Sequence, residues 1–330
     1  MVKGTAVVVT YNSASCVERC LRALTSEPGW EVLVIDNASQ DDTVARASRF
    51  TDQARIYRSS VNTGFAGGVN RGVKLASGDI LVLVNPDAIV APGTLDKLAN
   101  AISTYNAGAS GGLLMLAGNR PQTGNIVRRF PTLGSALAEL LLLNNIWYRN
   151  PWNRSYRYLD LDYSRAQKVD NPAGASLAFR RDAWQSVGGF DERFYPVWFE
   201  DVDFCRCLRK AGWEIVYEPS AVFNHDGAHS VGQLSFYNHQ LFWYGNLLRY
   251  FTKHHSWLQR CVLRAGITAG LTLRAILSLA VPSGGTRWEQ FRGYLAAAWK
   301  CGIRPARDAG PPLDVHNCTV VEVGKTVQQV

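Results

Sequence analysis

What this 330-residue chain lacks narrows its class before any motif is considered. Its seven cysteines (16, 20, 205, 207, 261, 301 and 318) form neither a paired disulfide framework nor a zinc-ligand spacing. That excludes a disulfide-stapled secreted module and a zinc domain, and it suits reduced thiols in a cytoplasmic protein. No stretch reaches about 18 uncharged apolar residues, so no membrane-spanning helix is expected. Met1-Val-Lys-Gly-Thr leads directly into strand-like sequence and not into a secretory signal. Repeats and low-complexity segments are absent. The chain is basic but carries no nucleic-acid motif, so no nucleic-acid partner is expected.

What is present is enough apolar sequence, 47% of the chain, to bury a full core. The charge is unevenly spread. Residues 236–310 carry ten Lys or Arg against Glu289 and Asp308, a net +8, while residues 1–235 hold only +1 and the tail 311–330 is −1. This predicts a neutral body, residues 1–235, with a basic appendage, 236–310, and a short tail.

The body is organised around Asp79-Ile-Leu-Val-Leu-Val-Asn-Pro-Asp87. Ile80 to Val84 is an unbroken apolar run of strand length, as expected for a parallel strand covered on both faces. Pro86 has no N–H and ends the ladder, leaving Asp87 just beyond the carboxyl end, where ligands bind in open α/β sheets. A plain turn Asp after Pro is the alternative. Upstream, Thr5–Thr10, Glu31–Ile35 and Ala54–Arg58 read as strands. Each is followed by a helix, with Ser15 and Glu18 as a capping box and Ser39 and Asp42 as caps. The fold class predicted is α/β, a doubly wound and mainly parallel sheet, with Asp36 and Asp87 on one carboxyl edge.

Asn62-Thr-Gly-Phe-Ala-Gly-Gly-Val-Asn70 opens a third helix, expected to stop near Gly78. Its spacing is not that of a dinucleotide fingerprint, yet its glycines allow close approach of a ligand or serve a plain turn. Glu200-Asp201-Val-Asp203 places three carboxylates in four residues after Pro196-Val-Trp-Phe. Aromatic neighbours would raise a carboxylate toward a useful base, although acids in a first helical turn are also favoured by the dipole.

Thr10-Tyr11-Asn12, Asp36-Asn-Ala-Ser, Asn62 to Asn70, Asn85-Pro-Asp87, Gly188-Gly-Phe-Asp-Glu, Trp198-Phe-Glu-Asp-Val-Asp and His225 occur in one order. In that order the chain resembles family 2 glycosyltransferases over roughly residues 4–250. It is most similar to the bacterial branch of rhamnosyltransferases that act on polyprenyl-diphosphate-linked saccharides. The resemblance implies a GT-A-like fold, with residues 1–116 as a nucleotide-sugar half and 117–235 as an acceptor half. It also implies an inverting transfer of one sugar, most simply L-rhamnose from dTDP-L-rhamnose. Asp36 would accept from the pyrimidine N3–H, framed by Thr10, Tyr11 and Asn12. Asn62, Gly64, Phe65, Gly68, Asn70 and Asn85 would line the rest of the donor site. Asp87 and His225 would hold a divalent cation, Mg²⁺ or Mn²⁺, with His229 the competing histidine. Asp201 would be the general base and Glu200 its runner-up, with Trp198, Phe199 and Gly174 on the acceptor side. Asn85 stands where the family's first D-x-D carboxylate would be. The Q-x-x-R-W pattern of processive synthases is missing, which favours single-sugar addition. The alternatives are a UDP-sugar donor on the same fold, or a non-catalytic nucleotide- or carbohydrate-binding protein.

In the basic region, Trp257–Val281 is mostly apolar and interrupted by Arg260, Arg264 and Arg274, and Trp288–Trp299 follows with Arg292 and Lys300 beside it. Such segments suit helices lying in the interface of an anionic inner-leaflet membrane. Otherwise they pack on the body or on a second copy, as in a homodimer. Thr319–Val323 reads either as a strand or as part of a disordered tail.

Overall fold

The apolar runs of the first half become strands because helices cover them on both faces. The computed structural model describes residues 3–116, 120–225, 234–280, 286–304 and 319–324, the side chain of His225 lying outside the description. The chain opens with β1 (Gly4–Thr10), α1 (Val17–Leu24), β2 (Trp30–Asp36), α2 (Thr43–Ala47), β3 (Arg55–Ser59), α3 (Gly64–Leu75) and β4 (Ile80–Leu83). These strands lie parallel in the order β3-β2-β1-β4, and the β1–β2 register sets Thr10 opposite Asp36 at the carboxyl edge. Every residue of β1 is buried. Helix α3 crosses it so closely that a Cβ on Gly68 would stand 2.6 Å from Val9 Cγ1, and one on Gly72 would meet Val7.

Beyond Asp87 a short strand, β5 (Ala88–Val90), comes before α4 (Thr94–Thr104). Then follow β6 (Ala109–Leu116), β7 (Arg120–Pro121), β8 (Val127–Arg128), α5 (Leu133–Leu140), α6 (Leu143–Ile146) and α7 (Pro151–Tyr156). The second half is completed by β9 (Gln167–Lys168), β10 (Asn171–Pro172), β11 (Leu177–Arg180), α8 (Arg181–Ser186), α9 (Glu200–Lys210) and β12 (Ile215–His225). The sheet is mixed, because β11 enters antiparallel between β4 and β6, and β5 runs antiparallel to β12. β6 and β12 remain parallel. The small β8–β10 ladder stands apart and pairs Arg128 with Asn171.

The C-terminal region is helical as expected: α10 (Phe236–His254), α11 (Trp257–Ala280), α12 (Arg287–Ala297) and a π-helical extension, Ala298–Ile303. These helices share a second core with α5, Phe194, Phe199 and Val202, separate from the core around the sheet. Helix α11 is long and apolar enough to cross a membrane, yet two of its three arginines, Arg264 and Arg274, bond to backbone carbonyls of the protein. Arg274 donates to the carbonyls of Leu140 and Glu139 at the end of α5. Arg264 donates to Gly302 O (3.1 Å) and Ile303 O (3.0 Å) at the end of the π-helical turn. Cations at helix ends offset the exposed carbonyls there. Finally β13 (Val320–Glu322) pairs antiparallel with the β3 edge, which settles the strand reading for that segment.

Two expected caps are replaced. Helix α1 starts behind Cys16 with no side-chain cap, so Ser15 and Glu18 do not form the box. At α2 it is Asp41, not Ser39 or Asp42, whose carboxylate accepts from Thr43 N (3.0 Å).

Gly78, beyond the end of α3, touches the backbone of β1: a Cβ there would lie 2.5 Å from Gly4 Cα and 2.8 Å from Thr5 N. Backbone cannot rotate aside as a side chain can. Gly78→Ala is therefore expected to lower the unfolding free energy by about 1–3 kcal/mol in urea denaturation. A stability equal to that of the parent would contradict this packing.

Candidate functional site

The carboxyl ends of β1 and β2 are tied together through Asp36, which is 1% exposed. Its two oxygens accept from Thr10 Oγ1 (3.1 Å) and Ser39 N (3.1 Å), and Arg58 Nε lies 4.0 Å away. The loop after β1 is held to the loop after β2, with Asn12 N donating to Ser39 Oγ (2.9 Å) and Gln40 N to Asn12 Oδ1 (2.8 Å). Asn37, passed over in the sequence, does the same for α3. Its Oδ1 accepts from Thr63 N and Thr63 Oγ1 (both 3.1 Å), and its Nδ2 donates to Gly64 O (2.8 Å).

The Asn62–Asn70 stretch divides by role. Asn62 Oδ1 accepts from Gly64 N (2.8 Å). Gly64 has φ +74°, and a Cβ there would lie 2.9 Å from Pro196 O, so its conformation and its space both require glycine. Phe65 N donates to the same carbonyl at 2.8 Å, which joins the donor-side loop to the loop that precedes Glu200. Gly68 serves helix-to-strand packing. Asn70 is a clamp: its amide donates to Phe190 O (2.8 Å) and Glu192 Oε1 (2.9 Å), and its carbonyl accepts from Phe190 N (2.9 Å). The fold thus engages Gly68 and Asn70 internally.

Asp87 lies at the junction of β4 and β5, 8% exposed, and Asn85 O in the same turn accepts from Ala88 N (3.0 Å). The β5–β12 register places the His225 backbone opposite Ala88, next to Asp87. The His225 side chain and all of His229 lie outside the described residues. The Asp87 carboxylate is a donor of the type that suits Mn²⁺ or Mg²⁺.

Helix α9 carries the acidic cluster. It is entered through Trp198 (φ +78°) and Phe199 (φ +72°), two consecutive non-glycine residues in the left-handed region. Each costs of order 1–3 kcal/mol and persists only where the surroundings impose it. Here α10 does so: Asn246 Nδ2 donates to Val197 O (2.9 Å), Phe199 packs on Trp243 and Tyr250, and Trp198 lies edge-on to Trp243 and His239. Phe199 is buried in the second core, so of the two aromatics only Trp198 keeps part of its surface open.

Glu200 and Asp201 are neighbours in different settings. Glu200 is 4% exposed and its Oε2 has no hydrogen-bond partner. Burial, reinforced by the charge of Asp201, pushes its carboxyl well above the ordinary value. Asp201 is partly exposed. Burial raises it too, but Gly174 N donates to its Oδ2 (3.0 Å) and Val202 N to its Oδ1 (2.8 Å), which stabilises the anion.

Asp203 faces away from this pair into an ion network. Lys253 Nζ lies 2.7 Å from its Oδ2 and 2.9 Å from Asp191 Oδ2, and His254 Nε2 lies 2.6 Å from its Oδ1. Asp203, Cys207 and His254 bring ligand-type atoms within 4.8 Å of one another, but Lys253 and Lys210 sit on those same atoms. The charge there is already balanced, and the cluster ties α9 to α10.

The solved structures that share this fold include a mannosyltransferase from Pyrobaculum calidifontis in complex with GDP-Man and Mn²⁺. It is 20% identical with a TM-score of 0.52, covering 89% of this chain and 85% of that one. GalNAc-T7 with UDP, GalNAc and Mn²⁺ matches with a TM-score of 0.57 at 16% identity, covering 89% and 55%. GT-A architecture is therefore the class of fold that this chain adopts. The model of the family "Glycosyl transferase family 2" matches residues 5–188, and the chain belongs to that family. It is also 34% identical over 290 residues, 82% of this chain and 91% of the other, to the N-acetylglucosaminyl-diphospho-decaprenol L-rhamnosyltransferase of Mycobacterium tuberculosis.

The raised Glu200 carboxyl makes a stability prediction. A folded-state value above the ordinary 4.5 means that the native state keeps a proton the unfolded chain has released, so stability falls as pH rises past that point. Glu200→Gln removes this penalty. Its melting temperature is expected to match the parent at about pH 4 and to exceed it increasingly toward about pH 8. A variant less stable than the parent at the higher pH would contradict the assignment.

Proposed function

We propose that this enzyme transfers one L-rhamnosyl residue from dTDP-L-rhamnose, with inversion, to a saccharide carried on a polyprenyl diphosphate. The observation that carries the reading is the likeness to the mycobacterial rhamnosyltransferase along 91% of that protein. The name of that enzyme gives both the sugar transferred and a lipid-diphosphate acceptor.

In this reading Asp36 accepts from the pyrimidine N3–H at the end of β2, and Thr10 holds the carboxylate in place. Asp87 and His225 hold a divalent cation, which supplies neutralisation of the negative charge that develops on the nucleoside diphosphate leaving group. Asp201 takes the proton from the acceptor hydroxyl as that oxygen attacks the anomeric carbon from the face opposite the leaving group. A single displacement of this kind inverts configuration. Asp201 suits the task better than Glu200, because its raised value strengthens it as a base while two backbone N–H groups keep it ionisable. Burial, reinforced by the charge of Asp201, disfavours in Glu200 the ionised form that a base requires.

The acceptor's lipid places the reaction at the cytoplasmic face of a membrane, and the C-terminal helices suit that surface. With Arg264 and Arg274 turned inward, the outward stripe of α11, including Leu258, Val262, Leu273 and Ile276, carries no charge. Beside it α12 exposes Trp288 and the π-helical extension exposes Trp299, with Arg292 between them in sequence. Apolar stripes flanked by Trp and basic residues match an anionic lipid interface.

Two measurements test this. Asp201→Asn is expected to lose about 10²- to 10⁴-fold in turnover while still binding dTDP, read by titration; turnover above about a tenth of the parent's would contradict the base assignment. The protein is expected to float with anionic liposomes at low salt, and Ile276→Asp with Trp299→Asp to stay behind. No flotation of the parent would contradict the membrane reading.

A further inference from the structure

We propose that Arg128 and Asn171 form a subsite for the diphosphate side of the acceptor, so that they select a lipid-diphosphate saccharide over a neutral one. The inference rests on the lipid-diphosphate acceptor proposed above and specifies where this chain would recognise it.

Buried polar atoms almost always find partners, because leaving one unpaired costs stability. Three that do not are found at the acceptor side of the fold: Glu200 Oε2, Arg128 Nε and Asn171 Oδ1. Arg128 and Asn171 are cross-strand partners in the β8–β10 ladder, so their side chains leave the same face. Asn171 is only 3% exposed. The ladder leads directly to the base. Ala173 N donates to Ile126 O (2.9 Å), and the next residue, Gly174, donates to Asp201. The charge of Arg128 acts on the ionisation of Asp201.

No carboxylate among the described residues lies within ion-pair distance of Arg128. Its Nη2 donates to Asn125 Oδ1 (2.7 Å). Its neighbour Arg129 is paired with Asp160 at 3.1 Å. The surrounding segment, residues 120–157, holds six arginines against Glu139 alone. A guanidinium offers a planar fork of donors that matches phosphate oxygens, and Asn171 Oδ1 beside it offers an acceptor for a sugar hydroxyl or N–H. The anomeric diphosphate of an acceptor sugar lies one pyranose ring from the hydroxyl that Asp201 would deprotonate, so one ligand can reach both. The donor's diphosphate has its own place at Asp87, on the β4–β5 junction.

The test compares two acceptors that bear the same sugar, one on a lipid diphosphate and one on a neutral alkyl chain, with the full-length protein. The parent is expected to favour the diphosphate acceptor in kcat/KM. In Arg128→Ala that ratio is expected to fall by about 10- to 100-fold, mainly through KM, with Arg128→Lys intermediate and Asn171→Ala reduced in the same direction. A ratio that stays at the parent's value in Arg128→Ala would overturn the subsite, including the case where both acceptors lose equally. Binding of the diphosphate acceptor without donor, followed by titration, is read in parallel. Loss of binding in Arg128→Ala supports the subsite even if the parent turns over neither acceptor, a result that would contradict the transfer reading alone. Unchanged binding overturns the subsite.

Discussion

The site depends on one hydrogen bond between elements far apart in sequence, from Gly174 N to Asp201 Oδ2 at 3.0 Å. A carboxylate that is to act as a base must be desolvated enough to bind a proton tightly and supported enough to ionise. At Asp201, Gly174 N supplies part of the support, and burial raises the carboxyl. A Cβ at Gly174 would stand 3.2 Å from Asp201 Cβ, so the close approach leaves little room for a side chain. Without that contact Val202 N would remain as backbone support of the Asp201 carboxylate, and burial would raise its carboxyl further.

The C-terminal helices belong to this arrangement more closely than a charge count suggests. The family model ends at residue 188, before Asp201. What fixes α9 comes later in the chain. Asn246 of α10 holds the Tyr195–Val197 carbonyls, and Lys253 and His254 lock Asp203. Burial pushes Asp191 upward, but Arg193 and Lys253 outweigh it and hold that carboxyl below the usual range. The same helices turn their charge-free stripe outward. One unit therefore both holds α9 in place and turns an apolar, charge-free stripe outward.

Much of the nucleotide half was legible in the sequence. Unbroken apolar runs ending in Asp36 and Asp87 announce parallel strands with acids at their carboxyl ends, and no tertiary knowledge is needed for that. What escaped is set by packing. The strand β5 has three residues and exists only because β12 pairs with it. Helices α5, α6 and α7 have eight residues or fewer and offer no long period to read in the sequence. Gly68 and Asn70 look like ligand contacts in a glycine-rich stretch, but Val9 and Phe190, distant in sequence, engage them. Arg264 and Arg274 look like breaks in an apolar segment until the helix ends they cap are placed beside them. The basic cluster around Arg128 was hidden because acidic residues elsewhere in the first 235 positions cancel it in the total.

The most direct test of the whole account is the structure of the product. Purified protein would be incubated with dTDP-L-rhamnose, a divalent cation and a diphosphate-lipid bearing N-acetylglucosamine, and the lipid analysed by mass spectrometry and NMR. The account predicts the gain of a single deoxyhexose in the anomeric configuration opposite to that of the donor. A retained configuration would contradict single displacement by an Asp201-activated hydroxyl, and addition only from a UDP-sugar would contradict the rhamnosyl assignment.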